Sequence, residues 1–321
     1  MAGGQERVLR RRIKSVQSTK KVTKAMELIS ASRIMKAQAR VAAARPYSEQ
    51  ITSVIANLAA GGAGLSSPLL TEREDVRTVA FVVITGDRGL AGGYNSGILR
   101  AAERAIRDAR AEGKDARIVV VGKKGRDFFR FRHYEIDDAF LGMTDQPTYE
   151  NAKEVAQAVT ARFESGEYDR VELIYTRFLS VASQRVTERR FMPLDATALE
   201  AAAAGAADGP AAGYEFEPDA SVILDRLLPR YAEARLFAAL LESSASEHAA
   251  RQRAMKSASD NADELITKLS RVMNRARQDS ITNEIMEIVG GAEALGSGKG
   301  TDDDIIVDHV GGALDLFPEK R

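Results

Sequence analysis

From Asp219 to Val289 the chain runs without a single glycine. At about 1.5 Å of rise per residue, a helix over that span approaches ~100 Å. Helices in globular proteins average roughly three to four turns, so one this long cannot bury its apolar face on a compact domain. It needs a partner helix. The segment from Gln5 to Leu58 supplies one, since it also lacks glycine and carries Leu9, Ile13, Val16, Val22, Met26 and Ile29 at mostly three- and four-residue steps. The stripe is narrow, closer to a coiled-coil seam than to a helix lying on a globular core. Pro46 and Pro229 are expected to bend or interrupt the two helices, because proline removes a backbone donor. Ser and Ala dominate between Ser243 and Ala262, which predicts a close approach of the two axes. Leu265, Leu269, Val272 and Ala276 are expected to form a seam beyond it.

The middle of the chain has a different texture. Val79–Ile84, Ile118–Val121 and Val171–Tyr175 are short β-branched apolar runs. Helix-like stretches lie near Ser96–Ala111, Lys124–Phe131 and Tyr149–Phe163. Continuous apolar strands alternating with helices predict a parallel sheet covered on both faces. Gln184–Phe191 reads as a more polar edge strand. The expected fold class is therefore α/β plus a long α coiled coil: an antiparallel N- and C-terminal helical hairpin with an inserted Rossmann-like α/β domain. The divisions are 1–60 for the first long helix, 77–195 for the α/β domain and 199–213 for an Ala/Gly-rich loop. The second long helix takes 214–295, and 296–321 is a solvated, acidic extension.

Composition narrows the chemistry. Aromatics are only 6% of the 321 residues, and Trp is absent, which is thin for one large globular core. There is no Cys, so disulfides, zinc–thiolate sites and Cys nucleophiles are excluded. His133, His248 and His309 lie far apart, none in a metal-ligand spacing. No run of about 18 apolar residues exists, which predicts no membrane-spanning segment. The formal net charge is zero, but residues 1–45 hold twelve Lys/Arg against Glu6 and Glu27 alone. Nucleic acid, lipid or an acidic protein sleeve would each satisfy such a helix. No aromatics interleave with the charges as base stacking requires.

Three short motifs invite a ligand reading. Thr85–Gly93 follows a strand and precedes a helix, where backbone amides can hold an anion. Its spacing is not GxGxxG and no Gly-Lys-Ser/Thr follows, so a tight turn needing glycine geometry is expected. Gly298-Lys299-Gly300-Thr301 lacks the hydroxyl residue of a phosphate loop and follows a helix. Asp302-Asp303-Asp304 sits in a charged tail of the kind that stays solvated. No HExxH and no GxSxG occurs. The residues thus point to no catalytic site, no cofactor and no metal, and leave open a coiled-coil scaffold or adaptor with a nucleotide-sensing α/β domain and, third, an enzyme using the Gly86–Gly93 loop.

Four stretches carry a family resemblance: Arg12–Glu27, Asp87–Gly93, Tyr214–Asp219 and Ser280–Ala292. Together they resemble the gamma subunit, the central rotor stalk, of the bacterial F-type proton-translocating ATP synthase, over about residues 1–295. The resemblance implies a non-catalytic shaft, one copy per complex, seated in a ring of three alpha and three beta subunits. It implies contact with epsilon and the membrane c-ring, no nucleic acid, and a peripheral place on the cytoplasmic face of the bacterial plasma membrane. By motif, Met26, Arg277, Gln278 and Thr282 would meet beta. Ile281, Ile285, Ile288 and Val289 would form an apolar bearing tip, and Tyr214 and Glu215 would meet the c-ring and epsilon. The extension 296–321 goes beyond the family pattern.

Overall fold

The computed structural model describes residues 2–60, 67–194 and 219–296. The loop 199–213, Tyr214 and Glu215, and the tail from residue 297 on lie outside the described residues. Two compact units are present: Gln17–Glu264, and a smaller one built from Met1–Val16 with Leu265–Arg321. The long helices α1 (Ala2–Ala60) and α5 (Ala220–Gly296) contribute to both.

The larger unit holds the sheet. Its strands are β1 (Thr78–Ile84), β2 (Asp115–Val121), β3 (Asp138–Phe140), β4 (Arg170–Phe178) and β5 (Gln184–Met192). They lie in the order β3-β2-β1-β4-β5. The first four are parallel, and β5 closes the edge antiparallel to β4. The apolar runs of β1, β2 and β4 are buried nearly throughout, as strands covered on both faces must be. Helices α2 (Tyr94–Ala111) and α3 (Lys123–Phe131) cover one face, with Ile98, Ile106 and Phe129 against Val79, Phe81 and Val83. On the other face α4 (Tyr149–Glu164) shares its core with both long helices. Val155, Val159 and Phe163 meet Ala80 and Val82 there, together with Ile55 and Leu58 of α1 and Leu228 and Leu236 of α5. The short β3 carries no apolar run, which is why no strand is expected there from the sequence.

The long helices run antiparallel within this unit. Lys20 Nζ lies 2.5 Å from Asp263 Oδ1, and the hydroxyls of Thr23 and Ser259 are 2.7 Å apart. Neither proline interrupts its helix. Pro46 costs the carbonyl of Ala42 its donor and Pro229 that of Asp225, and both of those residues are exposed, so water can replace the bond.

The seam also departs from expectation. In α1 of the larger unit the inward positions are Lys20, Thr23, Glu27, Ser30, Ile34 and Ala37, alternating steps of three and four. Val22 and Ile29, assigned to the seam by their apolarity, are 58% and 54% exposed. In the smaller unit the same spacing selects Ile266, Leu269, Met273 and Ala276 on α5, leaving Leu265 and Val272 outward. The Ser/Ala run of α5 serves the α/β domain as well as the other helix. Ser244 donates to the Asp145 carbonyl and Ser246 to that of Thr176, while Ser259 alone of these serines meets α1.

Candidate functional site

In open α/β sheets the crevice beyond the carboxyl ends of the strands is where ligands bind. Here α5 itself crosses that crevice. Thr85 and Gly86, which follow β1, are fixed first. The Thr85 hydroxyl donates to the Val121 carbonyl at 3.1 Å and accepts from Gly125 N–H at 2.9 Å. Gly122, at φ +103°, passes so close that a Cβ would stand 2.3 Å from the Thr85 carbonyl oxygen. Any other residue there would force the two loops apart.

Asp87 then gathers the neighbouring loops. Its carboxylate accepts from the backbone amides of Lys123, Gly142 and Thr144 and from the Thr144 hydroxyl, at 2.9–3.1 Å. Burial works to raise its pKa, but these hydrogen bonds outweigh burial and hold the carboxyl below its ordinary value.

Into this cradle α5 inserts Glu247, 1% exposed. A Cβ on Gly86 would sit 2.8 Å from the Glu247 carboxyl carbon, so the glycine is needed for the helix to approach. Glu247 pairs with Arg251 one turn on, which also donates to the Gly89 carbonyl. Burial raises the Glu247 pKa, and Arg251 opposes that rise.

Asp145 ties the same region to α1. Its carboxylate accepts two contacts from Arg33 Nη1, at 2.5 and 2.6 Å. The His248 ring meets the Asp145 carbonyl through Nε2 at 3.2 Å. A carbonyl only accepts, so Nε2 carries the proton. Nδ1 is then free to accept from Arg251 at 3.4 Å. Burial lowers the His248 pKa and favours this neutral ring. Sequence reasoning named His248 only in setting aside a metal site, and singled out none of Asp145, Glu247 and Arg251. The available signal was a Glu–Arg pair at i, i+4 inside a run of small residues. The first part of the loop, Thr85–Gly89, is thus closed by the chain's own carboxylates, Asp87 and Glu247.

The smaller unit presents the opposite situation. Beyond Ser280 every described side chain of α5 up to Leu295 is exposed. Ile281, Ile285 and Ile288 follow at i, i+4 and i+7, and Val289 and Met286 flank them, all outward. Arg277, Gln278 and Thr282 lie on the same stretch, also exposed. Met26 belongs to the larger unit, half-buried, its carbonyl accepting from Ser30 at 2.8 Å. Tyr214 and Glu215 lie outside the described residues.

A sheet domain fixed to both long helices, with an apolar helix surface left uncovered, defines an interaction subunit of coiled-coil and α/β construction. The sequence matches the family described as ATP synthase over residues 5–295. It is 54% identical over 299 residues to the ATP synthase gamma chain of Frankia casuarinae, covering 92% of this chain and 99% of that one. The fold resembles a chain in the central stalk and c-ring structure of Tetrahymena thermophila mitochondrial ATP synthase, with a TM-score of 0.57 at 25% identity, covering 74% of this chain and 99% of that one. It also resembles a chain of the Euglena gracilis mitochondrial enzyme, with a TM-score of 0.65 at 18% identity, covering 96% of this chain and all of that one. The chain belongs to the ATP synthase gamma family, the non-catalytic central-stalk subunit of the complex. Among the described residues no helix is long and apolar enough to cross a membrane.

Proposed function

We propose that the chain acts as the rotary shaft of a proton-translocating ATP synthase. It would couple c-ring rotation to the conformational cycle of three beta subunits, held with three alpha subunits around a single copy of the chain. The observation that carries this reading is the uncovered apolar end of α5. Fully burying one such Ile or Val against a partner contributes about 1.5–3 kcal/mol. Apolar contact is non-directional, so a sleeve can hold the tip without fixing its angle.

Within this reading Ile281, Ile285, Ile288 and Val289 form the bearing, and Arg277, Gln278 and Thr282 engage beta through hydrogen bonds, with Met26 a further beta contact. Tyr214 and Glu215 would serve the c-ring and epsilon. The junction of Asp87, Asp145, Glu247 and Arg251 would hold the Rossmann-like domain to α5 under torque, because turning one against the other strands buried charges. Binding through the c-ring would place the chain peripherally on the cytoplasmic face of the bacterial plasma membrane. The functional segments are 1–60, 77–195, 199–213, 214–295 and 296–321, the last an extension that would lie beyond the tip.

The test is reconstitution. Mixed with alpha and beta subunits from a bacterial ATP synthase of this family, the chain is expected to give a stable complex with ATPase activity. Substituting Ile281→Glu and Ile285→Glu together should weaken assembly. Failure of the unaltered chain to assemble would overturn the proposal.

A further inference from the structure

A cleft of about 420 Å³ opens beside the junction, between the N-terminus of α2 and one side of α5. The strand order places it near the point where the crossovers diverge. The connection from β1 enters α2 on one face, whereas α4, which leads into β4, lies on the other. Ligand sites of open α/β sheets concentrate at such points.

Four features of the cleft agree on the ligand's chemistry. The N-cap of α2 is Gly93, which offers no side-chain acceptor, and the first turn holds no acidic residue. The Tyr94 amide turns back to the Ala91 carbonyl at 3.2 Å, so in this 18-residue helix the amides of Asn95 and Ser96 are the ones that can meet an external anion. Arg253 lines the cleft from α5, held by the Val181 carbonyl at 2.6 Å and by Gln184. No carboxylate lines it. Thr176, 4% exposed, has a hydroxyl oxygen that is buried and without a hydrogen-bond partner. Its side chain shares the sheet face of Ile174 and stands opposite Val186 in register, toward the cleft that both Thr176 and Val186 line. A buried hydroxyl normally finds a partner, and a ligand oxygen would supply one.

We propose that this cleft binds a small phosphate-bearing molecule, its phosphoryl group at the α2 N-terminus between Arg253 and Thr176. The volume exceeds that of the bare ion, and Val186, Ala250 and Ala254 offer an apolar wall for the remainder. The inference does not depend on the shaft reading.

The experiment uses the full chain with inorganic phosphate, ribose 5-phosphate and ADP, against chloride at equal ionic strength, read by calorimetric titration and thermal midpoint. Phosphate-bearing probes are expected to bind and raise the midpoint where chloride does not. Gly93→Asp is the decisive variant. A Cβ there meets only Ser96 Oγ at 3.9 Å, and the new carboxylate would cap α2 and occupy the anion's place. It should fold with an unchanged or higher midpoint yet lose at least about tenfold in affinity, as should Arg253→Met. Thr176→Val should weaken binding by a smaller factor. Tighter binding of ribose 5-phosphate than of ADP would assign a sugar phosphate, and the reverse a nucleotide; with the same variant dependence, either supports the site. If no phosphate-bearing probe outperforms chloride, or if Gly93→Asp and Arg253→Met bind like the unaltered chain, the site is overturned.

Discussion

A carboxylate and a guanidinium buried one turn apart on a single helix survive only as a pair. Glu247 and Arg251 are 1% and 6% exposed, and their environment includes the carbonyl of Gly89 and the ring of His248. Removing one partner leaves an uncompensated buried charge, so Glu247→Ala should cost about 3–5 kcal/mol in urea denaturation of the full chain. Replacing the pair together, Glu247→Gln with Arg251→Met, should recover part of that loss. A double variant no better than the single one would show that the pair is not the source of the cost. Asp87 allows a test by pH. Its folded pKa is depressed, so its contribution is present above the unfolded value, near 3.9, and is lost as pH falls through the folded value. Asp87→Asn should therefore destabilise by about 1–3 kcal/mol at pH 7. The gap from the unaltered chain should narrow as pH drops below about 4. A gap that stays constant through that range would rule out the titration of Asp87 as its cause.

At the scale of elements, the strands were legible because buried parallel strands need unbroken β-branched runs, and Val79–Ile84 or Ile118–Val121 have no other use. The helices between them began within two residues of their expected starts. The coiled-coil seam was harder to read. Its spacing from Ile13 and Val16 continues through Lys20, Thr23, Glu27 and Ser30, whose side chains or stems face inward and find polar partners. Following hydrophobicity instead of spacing displaces the seam by one residue, onto Val22 and Ile29. The junction was illegible for another reason: Gly89 and Arg251 stand 162 positions apart, and nothing local in either segment announces the other. The corrected seam makes a direct prediction. Ile34→Ala, at a buried inward position, should cost about 2–5 kcal/mol. Ile29→Ala, outward and gaining helix propensity, should leave the isolated chain's stability within about 0.5 kcal/mol or raise it. Equal losses from the two would contradict the seam described here.

Across the molecule, stability should be unevenly distributed, since cooperative units open according to the apolar contacts they bury. The sheet is closed on both faces by helices, whereas α5 beyond Ser280 buries nothing within the described chain. A helix end of that length is marginal in water without a packed face. In the isolated chain, backbone amides of 281–296 should exchange with solvent orders of magnitude faster than those of β1, β2 and β4. Once the chain is assembled with alpha and beta subunits, the same amides should become protected, because a surrounding sleeve would bury Ile281, Ile285, Ile288 and Val289 and fix the helix that carries them. Sheet amides should change little on assembly, because their protection already comes from within the larger unit. Hydrogen–deuterium exchange on the free chain and on the complex reads both regions at once. Strong protection of 281–296 in the free chain would mean that the apolar stripe is already covered. Continued fast exchange in the complex would mean that alpha and beta do not enclose it. Either result would remove the physical basis for treating this helix end as a bearing.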